Sequence, residues 1–220
     1  MAVIKASHAP TSGHTYYSDV PGHTPGDGIF ARYILRPAVR PLARAIAPAL
    51  APWAASGASL AAAAGAGALL AANWNIAAAF AVLVAAVAAI LASELRAAGT
   101  GRSQLALISD AAAACYADAL LLGGLTAAAI RFEHYAHAEF VGALALGASL
   151  TLSYSRVRLA ASMPGRDTFD PATRDTVFTI AGVGAAAEQT YWALAIIGAL
   201  CAATVVWRLV VLRVVPTPAS

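Results

Sequence analysis

Charge is what this chain has least of. Asp, Glu, Lys and Arg make up 11% of its 220 residues while 60% are hydrophobic, and that balance excludes an ordinary soluble domain. No acidic residue occurs between Asp27 and Glu94, so the first two apolar runs contain no carboxylate. Cysteine is nearly absent too: Cys115 and Cys201 both lie inside apolar runs. Small polarizable side chains pack well there, and no disulfide framework is expected. The first 28 residues lack an apolar stretch of the secretory type, so no signal peptide is expected. Their polar, Gly, Pro and His-rich make-up predicts a flexible segment. No internal repeat or second domain is evident.

What the chain does have is a series of alanine-rich apolar runs, several close to the roughly 20 residues that a membrane-crossing helix needs. They predict spans at 52–72, 76–93, 104–130, 139–157, from about 175, and 191–212, the fifth short and interrupted by glycine. The expected fold is an all-α integral membrane protein of six transmembrane helices behind an N-terminal juxtamembrane amphipathic helix. Its parts are residues 1–28, a helix at 29–49, a membrane domain at 50–213 and a tail at 214–220. Within 29–49, Leu35, Val39, Leu42 and Ile46 recur on one face, and Arg32, Arg36, Arg40 and Arg44 line another. That pattern predicts a helix lying in the interface, with arginines toward anionic headgroups. Pro37 and Pro41 predict a kink. Asn73-Trp74-Asn75 reads as a tight turn with Trp74 in an aromatic belt. Gly57, Gly65 and Gly67 are expected to let helices approach closely.

The formal net charge of +3 is unevenly placed. Arg96, Arg102, Arg156, Arg158, Arg166, Arg174, Arg208 and Arg213 fall at one end of the predicted bundle, and Arg131 alone at the other. The asymmetry places both termini in the cytoplasm, and the alanine-rich composition points to a bacterial plasma membrane. Arginines scattered over membrane-flanking loops argue for lipid partners and against nucleic acid.

Acids at membrane depth are costly and therefore functional candidates. Asp110 and Asp118 lie about two turns apart on the third predicted span. They either hold a cation or substrate in a cavity, or are buried acids satisfied by a nearby arginine or by Tyr116. Glu94, near the end of the second span, is a further candidate that could equally pair with Arg96 or Arg102. Arg96, Arg156 and Arg158 are candidate anion-binding groups. His134 and His137 fall in a turn at the other end and read as an interfacial polar loop. Two carboxylates alone are too few for a Mg²⁺ site, which needs near-octahedral oxygen ligation.

Four stretches together resemble the CDP-alcohol phosphotransferases, enzymes of phospholipid synthesis whose signature runs D-x2-D-G-x2-A-R, about eight residues, then G-x3-D-x3-D. Asp27-Gly28 through Arg32 to Arg36-Pro37 looks like the juxtamembrane helix of members with inositol-phosphate acceptors. Ser103 to Leu121 matches the third-span block, with Asp110 at the third motif aspartate. Ser153-Tyr154-Ser155-Arg156-Val157-Arg158 is similar to the end of the fourth span. Arg174 and Thr204 to Leu209 resemble the fifth-span start and the last helix. The resemblance covers most of residues 27–213 and implies a six-span homodimer in which four aspartates hold metal ions and basic groups bind the acceptor phosphate.

The departures fall on the chemistry. If Leu95-Arg96 is the A-R pair, Ala88, Leu91 and Ala92 stand at the first two aspartates and the following glycine. Ala106 replaces a motif glycine, Ala114 the fourth aspartate, and Cys115 the arginine often found next. Metal ions would neutralise the pyrophosphate and a base would take the acceptor proton, so a single remaining aspartate, Asp110, gives only a partial metal site. The expectation is a non-catalytic relative that binds lipid or nucleotide, as a homodimer or beside an active relative. One alternative is an active Mg²⁺- or Mn²⁺-dependent transferase using Asp110, Asp118 and Glu94 with release of CMP. The other is a small transporter working through the buried acids.

Overall fold

The computed structural model describes residues 51–98, 104–162 and 172–214, together with Pro37, Val39, Pro41, Ala45 and Ile46. The side chains of Pro52, residues 96–98 and 104–108, Asp110, and residues 156–162 and 211–214 lie outside that description. So do the segments 1–28 and 215–220. Among the described residues there are helices and no strand.

Six helices follow one another: α1 (Pro52–Ala71), α2 (Asn75–Ala98), α3 (Gln104–Ala128), α4 (Ala138–Ser162), α5 (Arg174–Ala186) and α6 (Thr190–Val214), with a π-helical turn at Ala129–Glu133 extending α3. Their starts fall within one residue of the pattern read from the sequence. Proline opens α1, where its missing N–H is no loss. At the other end of α1 the Ala72 and Trp74 N–H groups close onto the Ala68 and Leu69 carbonyls, and Asn73 adopts φ 64°, a left-handed helix ending. Left-handed residues also sit in the other two tight connections, at His134 and His137 and at Glu188. Trp74, Tyr135 and Trp192 are exposed around these turns, as in an aromatic belt. This is the tight-turn end of the bundle.

Four helices are long and apolar enough to cross a membrane: Trp53–Ala71, Asn75–Leu95, Ala111–Glu133 and Thr190–Val210. The chain therefore has the make-up of an integral membrane protein. The other two expected spans fall short on the described residues. α4 is 25 residues long, but the side chains of its last seven residues lie outside the description. α5 has 13 residues, or roughly 20 Å of helix against about 30 Å of hydrocarbon.

Helix neighbours form a closed ring in the order α1, α2, α5, α6, α4, α3 and back to α1, with α3 also touching α6 across the middle. Leu70, Val82, Leu121, Leu122, Leu125, Leu152, Phe178, Leu194 and Ile197 fill the centre, surrounded by buried alanines. The α1–α3 contact depends on two glycines. A Cβ on Gly67 would run into the Leu120 carbonyl, and one on Gly124 into the Gly67 backbone. Gly57 and Gly65 face open space instead, so of the three glycines expected to admit a neighbour only Gly67 does so. Val39, one of the apolar residues expected on one face, is buried against Ile90 of α2, and Pro37, Val39, Pro41, Ala45 and Ile46 are all helical.

Candidate functional site

α5 decides where the polar groups of the bundle meet. It leaves the tight-turn end beside α2 and α6 and, being 13 residues against 24 in α2, stops roughly 16 Å short of the opposite end at 1.5 Å per residue. Its first residue, Arg174, is thereby placed within the depth of the bundle, against the middle of α3. There Arg174 Nε donates to Asp118 Oδ1 at 3.2 Å, the two side chains being 23% and 7% exposed. The guanidinium lies over the Phe178 ring, 4.9 Å from its centroid, one turn along the same helix. Arg174 Nη2 is buried and has no hydrogen-bond acceptor. The hydroxyl of Thr173, the residue preceding the helix, does not cap it and instead bonds Thr176 Oγ1 at 2.8 Å.

A second cation lies in the same half. Arg208, 5% exposed, is 18 residues into α6, roughly 27 Å from the tight turns. Its Nη1 donates to Ser155 Oγ on α4 at 2.7 Å, and that hydroxyl donates to the Leu152 carbonyl at 2.7 Å. Buried guanidiniums with planar donor sets suit anionic oxygens, above all those of phosphate and carboxylate.

The tight-turn end has a polar cluster of another kind. The π-helical turn carries Glu133 across to the start of α6, where its carboxylate accepts from Thr190 N and Thr190 Oγ1, both at 2.5 Å, and from Tyr191 N at 3.1 Å. An anion on the first N–H groups of a helix satisfies donors that would otherwise be orphaned and complements the helix dipole. Beside it Arg131 Nη1 donates to the Ala71 carbonyl at the end of α1, at 3.3 Å. Tyr135 stacks on Tyr191 with centroids 4.5 Å apart.

Of the residues singled out from the sequence, Asp118 is brought into a site and its partner is an arginine; Tyr116 is exposed and points elsewhere. Asp110 lies on α3, but its side chain is outside the described set, as are those of Arg96, Arg156 and Arg158. Glu94 is half-buried near the end of α2. His134 and His137 are exposed in the connection after the π turn. Among the described residues no three of His, Cys, Asp and Glu gather closely enough to hold a metal ion. At the positions aligned with the missing motif acids, Ala88, Leu91 and Ala114 are half-buried, and Ala92, at the motif glycine, is buried in an apolar cluster with Ala55 and Leu95.

Arg174, Ser155 and Arg208 were not among the site residues the sequence pointed to. Arg208 carried a usable signal, a cation set among apolar residues well inside α6, whose other arginine, Arg213, lies at the helix end. No family model matches the chain, and no curated protein matches it.

Proposed function

We propose that this chain is a six-helix membrane protein on the plan of the CDP-alcohol phosphotransferases, kept for binding an anionic phospho-group and not for metal-dependent transfer. α4 and the half-length α5 complete the bundle around the four apolar spans. The Arg174 end of α5 faces the cytoplasm, with both termini on that side of a bacterial plasma membrane. Arg174 and Arg208 supply the cationic lining, and Arg156, Arg158 and Arg96 the basic rim.

One observation carries this reading: Arg174 opens a short helix deep in the bundle with one face of its guanidinium held by Asp118 and Nη2 left without an acceptor. A buried donor without a partner costs free energy, which an anionic oxygen beside it would recover. The non-catalytic part is supported by Ala88, Leu91 and Ala114, which stand where the resemblance would put three of the four aspartates. With Asp110 as the one motif acid left, a Mg²⁺ or Mn²⁺ site would lack most of its ligands. A chain of this kind would work as a homodimer or beside an active relative, among membrane lipids.

Calorimetry on the purified protein in detergent, with sn-glycerol 3-phosphate and CMP as probes, tests the reading. Binding is expected to be independent of Mg²⁺, unchanged in Asp110→Ala, and weakened at least about tenfold in Arg174→Gln, as befits loss of a charge-assisted contact. Mg²⁺-dependent binding lost in Asp110→Ala, with CMP released from a CDP-linked lipid, would overturn it in favour of an active transferase.

A further inference from the structure

The chain has four tryptophans, and all of them lie exposed at two levels of the bundle. Trp74 and Trp192 stand with Tyr135 around the tight turns. Trp53 on α1 and Trp207 on α6 stand near the far end, where Tyr116 on α3 and Tyr154 on α4 join them. These last four side chains are between 56% and 76% exposed. With the π turn counted in α3, each is 16 to 18 residues from the tight-turn end of its helix, roughly 24–27 Å along the axis. Four helices thus bring an exposed ring with a polar atom to one height. Tryptophan and tyrosine gather where a membrane meets water, since the ring is apolar and its polar atom can still reach a partner.

What lies between the two levels is dry. Among the described residues, those exposed there on all six helices are Gly, Ala, Val, Leu, Ile and Phe, with one exception. The exception is Thr151, and its hydroxyl turns back onto the Gly147 carbonyl at 2.8 Å, so it presents no unmet donor to the surroundings. Polarity returns just outside. Arg156 follows Tyr154 by two residues, Glu94 comes 19 residues after Asn75 on α2, and Asn73, His134 and Glu188 occupy the tight connections. Past the far level the large exposed apolar residues among those described are Leu209 and Val210, within a turn of Trp207.

α6 measures the band. Trp192 and Trp207 are 15 residues apart on it, roughly 23 Å, against about 30 Å for the hydrocarbon of a typical bilayer. α5 fits the shorter measure: its 13 residues span roughly 20 Å, so a helix too short for an average membrane comes close to crossing this one. Bilayer around a short apolar band must thin to meet it, and the cost is smallest for short acyl chains. A second copy of the chain would cover one side of the bundle, whereas this band runs over every helix and is bordered by rings at both heights. We infer that the bundle is matched to a thin sleeve of bilayer and selects short-chain phospholipids as its boundary lipid. The inference is independent of the anion-binding reading, since it uses neither Arg174 nor its partner.

The test reconstitutes the full chain in phosphatidylcholines with monounsaturated chains of 14 to 22 carbons. Brominated counterparts of each lipid report contact by quenching tryptophan fluorescence. Competition is expected to favour the 14-carbon lipid over the 20-carbon lipid at least about threefold, because mismatch grows with chain length. Equal partition, or a maximum at 18 carbons or more, would overturn the inference. Four variants that each keep one tryptophan, the others changed to phenylalanine, then locate the two levels. In 14-carbon bilayers each tryptophan is expected to be quenched by bromines near the glycerol backbone and little by bromines at mid-chain. Trp53 or Trp207 quenched best at mid-chain would put the far level inside the hydrocarbon and overturn the band height. Either one reached only by aqueous iodide, or shielded from both quenchers as beneath a second copy, would overturn it too. Tyr116→Leu/Tyr154→Leu/Trp207→Leu changes exposed positions only and removes most of the far belt. It is expected to move the optimum to longer chains, and an unmoved optimum would show that the belt does not set the height.

Discussion

The two ends of this bundle use an acid in the same place and to different effect. At the tight-turn end Glu133 meets the first residues of α6; within the other half Asp118 meets the first residue of α5. The Glu133 carboxylate is consumed by three donors from Thr190 and Tyr191, and nothing at that cluster asks for a ligand. Asp118 holds Arg174 by Nε, and Nη2 of the same guanidinium is buried with no acceptor. A saturated cluster fastens helices; one with a donor to spare can also bind. If that distinction is real, removing each acid should produce a different kind of loss.

The largest effect is expected at Asp118. Asp118→Ala leaves the Arg174 charge in a low-dielectric site without its counter-ion, and breaking such a pair from one side costs about 3–5 kcal/mol. Thermal or denaturant unfolding in detergent measures it. The double variant Asp118→Ala/Arg174→Met should regain most of the stability, because two apolar groups replace a costly pair, while glycerol 3-phosphate binding is weakened at least about tenfold, as in Arg174→Gln. A double variant that bound the anion as tightly as wild type would break the comparison at its functional half.

Glu133→Ala comes next. It strips three hydrogen bonds from the start of α6 and should cost about 2 kcal/mol, in the range for a lost helix cap. Glu133→Gln keeps an acceptor and should cost less. Neither should alter anion binding. A Glu133→Ala protein that folds normally yet binds glycerol 3-phosphate several-fold more weakly would show that the two ends are coupled and that the saturated cluster is more than a fastening.

Ser155→Ala is smaller. It takes from Arg208 Nη1 the hydroxyl it donates to, an effect on the order of 1 kcal/mol for one hydrogen bond. If Arg208 belongs to the same anion site as Arg174, the variant should change glycerol 3-phosphate affinity as well as stability. A change in stability alone would confine the binding site to Arg174.

How much of this was legible beforehand differs between the two ends for a physical reason. Helix positions were readable because apolar runs and their polar interruptions are local properties; Asn73-Trp74-Asn75 announced its turn by composition. The short fifth helix could be seen from the glycines and Pro171 around it. The partner of Asp118 could not, because Arg174 lies 56 residues away and meets it only through the ring order of helices. Glu133 gave no sign of capping α6, since its reach depends on a π-helical turn that no periodicity marks. Gly57, Gly65 and Gly67 looked alike in sequence, and only the neighbour across the interface separates Gly67 from the other two. Composition of the described residues supports four spans directly; α5, at 13 residues, is half-length.

The smallest stability effect belongs to Arg131, and it carries the most information about orientation. Its bond to the Ala71 carbonyl is exposed and 3.3 Å long, so Arg131→Gln should change stability by less than about 0.5 kcal/mol. Yet Arg131 is the one basic residue in the connections at the tight-turn end, against Arg96, Arg102, Arg156, Arg158, Arg166, Arg174, Arg208 and Arg213 elsewhere. Basic residues are retained on the cytoplasmic side, so removing Arg131 should strengthen the existing orientation. A reporter fused after Ser220 is expected to signal from the cytoplasm in wild type and in Arg131→Gln alike. Inserting two arginines beside Arg131 erodes the asymmetry and should send part of the population the other way. A reporter that signals from outside in wild type would turn the molecule over, and Arg174 with it, so that the binding half of the comparison would face the exterior and Glu133 the cytoplasm.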